Sequence, residues 1–208
     1  GLPVRLSMSN AHPGAIGSPA MTRLLSVVIP AFNERQTIEE LLRRVAAAPL
    51  PPGIGLEIVV VDDGSTDGTR DLLRRLVAGR SPAEPPLRIF EQAENQGRGA
   101  ALRRGFAAAA GEWIVVQDAD LEYDPREYPL LLRPILEDKA DVVYGSRFLG
   151  AQGGHRVLYF WHSVGNTVLT LFSNMLSNLN LTDMETCYKA IRGDLARSLH
   201  LTSDRLGF

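Results

Sequence analysis

Between residues 24 and 147 the chain alternates two apolar patterns. Short continuous runs, LLSVVIP at 24–30, LEIVVVDD at 56–63, LRIFEQ at 87–92, WIVVQDAD at 113–120 and ADVVYGSR at 140–147, have the length and β-branched content of buried strands. The intervening segments space their apolar residues as helices do: Ile38, Leu41, Leu42 and Val45; Leu72, Leu73, Leu76 and Val77; an alanine-rich stretch from Ala100 to Ala110; and Leu130, Leu131, Leu132, Ile135 and Leu136. Ser65, Thr66 and Asp67 are candidate caps for the second helix, and Pro134 should kink the last one or mark its boundary. Repeated strand-then-helix order predicts an α/β fold with a mainly parallel central sheet flanked by helices.

Sheets of that kind bind ligands beyond the carboxyl ends of their strands, near a topological switch point. The polar endings NER, DDGSTDGT, QDADLE and GSR all fall there, so they should converge on one cleft. In WIVVQDADLEYDP, acidic residues occupy every second position: Asp118, Asp120, Glu122 and Asp124. Extended chain would bring Asp118, Asp120 and Glu122 out on one side, where they repel each other unless water or a cation intervenes. A solvated acidic loop would explain the cluster alone. Four polar endings at one edge favour a ligand site with a hard divalent cation, Mg²⁺ or Mn²⁺, whose shell a ligand's phosphates complete.

The remaining composition narrows the picture. A chain of 208 residues with 45% hydrophobic and 22% charged residues suits one domain. Residues 1–22, rich in Gly, Pro, Ser and Ala, read as a flexible leader before a single domain over 23–208; Met21 is a plausible natural start, and the abrupt TSDRLGF suggests a truncated chain. A net charge of −2 recruits neither nucleic acid nor anionic membrane. The single cysteine, Cys187, rules out an intramolecular disulfide or a multi-cysteine metal site. No apolar run reaches membrane-spanning length, and the start of the chain lacks a secretory signal layout. Gly97, Arg98 and Gly99 precede a helix N-terminus and could suggest a phosphate loop, but without the third glycine of a dinucleotide fingerprint a plain tight turn is the favoured reading.

The pieces VVIPAFNE at 27–34, VVVDDGSTDGT at 59–69, NQGRGAALRRGFAAAAG at 95–111, VQDADLEYDP at 116–125 and GSRF at 145–148 together resemble the inverting family 2 glycosyltransferases of the GT-A fold. DADLEYDP and TDMETCYKAIR at 182–192 are similar to signatures of the polyprenyl-phosphate sugar transferases, the dolichyl-phosphate mannose synthase-like group. The resemblance implies an enzyme that moves one hexose from a nucleotide sugar, GDP-mannose or UDP-glucose, to a polyprenyl phosphate at the cytoplasmic membrane face. It places Pro30, Phe32 and Glu34 at the base and ribose, Val61 and Asp63 beside the base, Asp118 and Ala119 at the nucleoside, and Asp118, Asp120 and Glu122 at the metal. Glu122 departs from the pattern, where Gln is common. Arg147 of GSRF would face the phosphates, a structural ion pair being the other reading.

A hydroxyl acceptor would need a general base, for which Asp183 and Glu185 are candidates. A phosphate acceptor, with a second pKa near ~6, is already anionic and needs positive charge nearby instead. Lys189, Arg192, Arg156 and His162 could provide it. Within residues 155–180, Val157, Trp161, Val164, Val168, Leu171, Phe172, Met175 and Leu179 form a helical stripe whose first explanation is packing against the sheet. The added Tyr159, Phe160 and Trp161 suggest rest at a lipid interface. The alternatives are a polysaccharide-building family 2 enzyme with a hydroxyl acceptor, or a non-catalytic nucleotide-sugar binding module. A nucleotidyltransferase is disfavoured because PAFNERQ lacks the glycine-rich, lysine-bearing loop.

Overall fold

A computed structural model describes residues 23–145, 160–177, 183 and 186–205. The five expected strands are present as β1 (Arg23–Ala31), β2 (Ile54–Asp62), β3 (Leu87–Glu91), β4 (Trp113–Val116) and β5 (Val142–Tyr144). A sixth, β6 (Lys189–Arg192), was not expected from its sequence, KAIR. The sheet order is β3-β2-β1-β4-β6-β5. Strands β1 to β4 are parallel, while β6 runs antiparallel between β4 and β5. The sheet is therefore mainly parallel, as expected, with one reversed strand.

Continuous apolar strands require cover on both faces, and both have it. Val27, Ile29, Ile58 and Val60 point to one face, where α1 (Ile38–Ala46), α2 (Thr69–Ala78) and α4 (Tyr128–Leu136) supply Leu41, Leu73 and Leu132. Val28, Val59, Ile114 and Val116 point to the other, under Leu102 and Phe106 of α3 (Arg98–Ala108) and Ala196 of α6 (Gly193–Ser198). α3 approaches so closely that a methyl group on Gly105 would collide with Val28.

Local departures from the expected pattern have local causes. Gly68, at φ 93°, forms the N-cap of α2, and Asp67 accepts the Thr69 N–H at 3.0 Å, so Ser65 and Thr66 do not cap it. α4 continues two residues beyond Pro134, whose missing N–H falls opposite exposed Leu130 in a turn that water can satisfy. No helix among the described residues is long and apolar enough to cross a membrane.

Candidate active site

The carboxyl ends of β1, β2 and β4 open on a cleft of about 480 Å³ lined by Pro30, Phe32, Glu34, Asp63, Asp118 and Asp120, among others. Its walls are fixed by polar contacts between loops. Asn33, in the left-handed region at φ 58°, accepts the Thr66 N–H through Oδ1, and its own N–H donates to Ser65 Oγ. The Glu34 N–H donates to Thr69 Oγ1, whose hydroxyl donates to Asp67. The NER and GSTDGT segments therefore hold each other, leaving Phe32 44% exposed to the cleft.

The two aspartates of VVVDDGS do different work. Asp62, fully buried, accepts Arg70 Nε at 2.8 Å, and Arg70 also donates to the Gln92 carbonyl at 2.6 Å, tying β2 to α2 and β3. Asp63 accepts Gln92 Nε2 at 2.6 Å and the backbone N–H groups of Gln96 and Gly97 at 2.8 Å each. It shapes the loop before α3 while lining the cleft. Val61, expected beside the base, is instead fully buried in the sheet beneath α3 and does not line the cleft.

The acidic run after β4 is not extended. The strand ends at Val116, and Leu121 adopts φ 65°, turning the chain so that Glu122 and Asp124 do not follow Asp118 and Asp120 into the cleft lining. Asp118 receives Arg98 at 2.6 Å; Asp120 is exposed in the cleft and accepts the Glu122 N–H at 2.9 Å. Ala119 lies between them in the lining, which does not include Glu122. Asp124 leaves the cluster altogether: it accepts the Arg126 N–H to cap the 3₁₀ turn Pro125–Glu127, and that guanidinium holds its carboxyl below the usual range.

β6 lies beside β4 in the sheet. Because it is antiparallel, Lys189 pairs with Val116 at the cleft end of β4 and Arg192 with Trp113 at the far end. Arg192, expected near the acceptor, is therefore remote and ion-paired to Asp194 and Asp141. Lys189 is buried, with Nζ 4.9 Å from the Tyr144 ring centre, and burial lowers its pKa to about 8. Cys187 lines the cleft beside Asp118; burial first, then that carboxylate, push its thiol up to about 12.

Asp183 is 1% exposed and accepts Asn166 Nδ2 at 3.1 Å. Asn166 belongs to α5 (Phe160–Ser177), whose polar residues Asn166 and Thr170 are buried while Val168, Leu171, Phe172, Met175 and Leu176 are exposed. The expected packing of that stripe on the sheet is thus reversed in its described part. Arg147, Glu185, Arg156, the His162 side chain, the aromatic side chains at 159–161 and the leader 1–22 lie outside the described residues.

Among the polar side chains of the lining that sequence reading did not assign to the site are Asn95, Arg98 and Arg205. The first two sit in NQGRG, where the glycines drew attention as a turn. Arg205 carries no local signal at all.

Mg²⁺ commonly takes one or two carboxylates together with substrate phosphates. Asp120 offers an exposed carboxylate in the cleft and Asp118 a second one two residues away, held by Arg98. Among the described residues no three His, Cys, Asp or Glu side chains gather to hold an ion. The donor set fits a cation that shares ligands with a nucleotide, and does not form the three-carboxylate set of Asp118, Asp120 and Glu122.

The model of glycosyl transferase family 2 matches residues 26–199. The dolichol-phosphate mannosyltransferase of Pyrococcus furiosus is 37% identical over 125 residues, 60% of this chain and 33% of that protein. An undecaprenyl-phosphate 4-deoxy-4-formamido-L-arabinose transferase of Pseudomonas syringae is 30% identical over 190 residues, 91% of this chain and 53% of that protein. The chain thus spans between a third and about half of the length of these curated relatives. Among solved structures, the glucosyl-3-phosphoglycerate synthase of Mycobacterium tuberculosis with Mn²⁺, UDP and glucosyl-3-phosphoglycerate superposes with a TM-score of 0.60 at 22% identity, over 87% of this chain and 64% of that one, and so shares its fold. The expected GT-A arrangement is therefore present. With the family model covering most of the chain and the cleft built at its motifs, the chain belongs to the family 2 glycosyltransferases.

Proposed function

We propose that this domain transfers a single hexose from a nucleotide sugar, GDP-mannose or UDP-glucose, to a polyprenyl phosphate, with inversion, at the cytoplasmic face of a membrane. The observation that carries the reading is the cleft itself, which presents an exposed aromatic ring, Phe32, at the end of β1 and an exposed carboxylate, Asp120, after β4. Phe32 and Pro30 offer an apolar platform for a base, and Glu34 an acceptor for ribose hydroxyls. Asp120, with Asp118, would hold Mg²⁺ or Mn²⁺. When bound, the cation supplies charge neutralisation for the leaving nucleoside diphosphate. Arg147 of GSRF would add a guanidinium on the same group.

The acceptor assignment is supported by the names of the two curated relatives, both transferases acting with a polyprenyl or dolichyl phosphate. It is also supported by Asp183. A carboxylate 1% exposed and engaged by Asn166 is poorly placed to take a proton from an incoming hydroxyl, whereas a phosphate oxygen needs no base. The outward apolar face of α5 suits peripheral contact with the bilayer that carries such an acceptor.

The direct test incubates the protein with Mn²⁺ or Mg²⁺, each radiolabelled nucleotide sugar and a short polyprenyl phosphate, and counts label extracted into organic solvent. Label transferred from one donor supports the reading. Transfer to hydroxyl acceptors only, with none to the lipid phosphate, would replace it with the polysaccharide-building alternative.

A further inference from the structure

Beyond α6 the chain crosses back over the start of α3. The Asp204 carbonyl accepts the Gly99 N–H at 2.7 Å and the Ala100 N–H at 3.3 Å. Arg103 donates to the carbonyls of Leu201 and Ser203 and pairs with the Asp204 carboxylate. The crossing explains two glycines: a methyl group on Gly97 or Gly99 would run into the backbone at Asp204 or Ser203, and Gly97 also sits at φ 100°. Residues 199–205 are thus a strap clasped to α3, and they deliver Arg205 into the lining of the cleft.

The charges of that lining are unevenly committed. Asp63 is engaged by three N–H donors, and Arg98 is held by Asp118. No hydrogen bond or ion pair engages the Arg205 guanidinium among the described residues. The first free N–H groups of α3, which would otherwise attract an anion, are covered by the Asp204 carbonyl. Among the described lining residues, an anionic ligand therefore finds its uncommitted cationic side chain at Arg205. An arginine fork pairs with phosphate oxygens better than with any neutral group.

We infer that Arg205 binds the diphosphate of the donor nucleotide and that the strap exists to present it. The inference rests on the donor reading above and adds a residue to it. Calorimetry with Mn²⁺ should compare UDP and GDP with uridine and guanosine on wild type, Arg205→Ala and Gly99→Ala. For whichever nucleoside diphosphate the wild type binds, Arg205→Ala should weaken affinity by about tenfold or more, the scale of a charged hydrogen bond, and leave the matching nucleoside within about twofold. Gly99→Ala should reproduce the loss with the arginine still present, because the strap is displaced.

Unchanged diphosphate affinity in Arg205→Ala overturns the assignment while leaving the donor reading intact. Equal losses for nucleoside and diphosphate also overturn it, since they place the arginine on the base. A wild type that binds neither UDP nor GDP overturns the donor reading and this assignment together. Should Gly99→Ala fail to fold, Arg205→Ala, an exposed truncation, still decides the question.

Discussion

Replacing Arg70 by Met breaks the contact that makes the first aspartate of the DD pair tolerable. Asp62 is fully buried and its best partner is the Arg70 guanidinium, with Nε at 2.8 Å and a terminal nitrogen at 2.7 Å; its other contact is a long one from the Ser65 N–H at 3.4 Å. Methionine keeps the stem but leaves an ionised carboxylate without charge compensation and the Gln92 carbonyl without its donor. Losing one partner of a buried ion pair costs about 3–5 kcal/mol. With Arg70 25% exposed, water can reach the vacated side, so about 3 kcal/mol is the appropriate figure. Taking a urea slope of about 2.5 kcal/mol per molar, the unfolding midpoint should fall by roughly 1.2 M. The double variant Asp62→Leu, Arg70→Met should recover most of the loss, because both polar partners are then gone. Since neither residue lines the cleft, nucleotide affinity of the folded single variant should stay within about twofold of wild type. A midpoint shift under about 0.3 M at unchanged slope would refute the assignment of Asp62 as a structural anchor dependent on Arg70.

Asp120→Asn should abolish Mn²⁺-dependent nucleotide binding in calorimetry with an unchanged melting temperature; retained metal dependence would remove Asp120 from the cation site. Arg147→Ala should lower turnover more than thermal stability, and a variant that merely unfolds would mark a structural ion pair. For Lys189, burial holds the native pKa near 8, below its value in the unfolded chain, so between about pH 8 and 10 the unfolded state binds more protons and stability rises with pH. Lys189→Met should lose that rise, so wild-type stability relative to the variant should increase across this window in urea titrations; a flat difference would contradict it. Phe172→Ser with Leu176→Ser should reduce sedimentation with lipid vesicles while leaving nucleotide binding unchanged, and equal sedimentation of both proteins would detach α5 from the membrane.

The strands that run continuously apolar could be read from the chain because burial on both faces leaves little choice of residue. β6 could not: KAIR is short and half charged, and it is a strand only because β4 and β5 offer it edges. The acidic alternation after β4 misled for a related reason. A period of two marks a strand only while the backbone stays extended, and Leu121 at φ 65° ends that condition after Asp120. On α5 the spacing of apolar residues correctly gave a helix but not which face turns inward; Asn166 and Thr170 are the buried residues, and Asn166 donates to the buried Asp183. Gly97 and Gly99 were legible as special positions. Their cause, a strap about a hundred residues further on, was not.

The reversed strand also has a consequence for synthesis of the chain. β4 lies at the centre of the finished sheet, yet the strand that covers its second edge begins at Lys189, 73 residues after Val116 (189 − 116). At roughly 5–20 residues per second, the ribosome leaves that apolar edge, Trp113 to Val116, unpaired for about 4–15 s. During that interval the nascent protein carries a half-built sheet whose open side can accept a foreign strand. Chaperone demand and aggregation of this enzyme domain should therefore depend on how quickly translation passes residues 117–192.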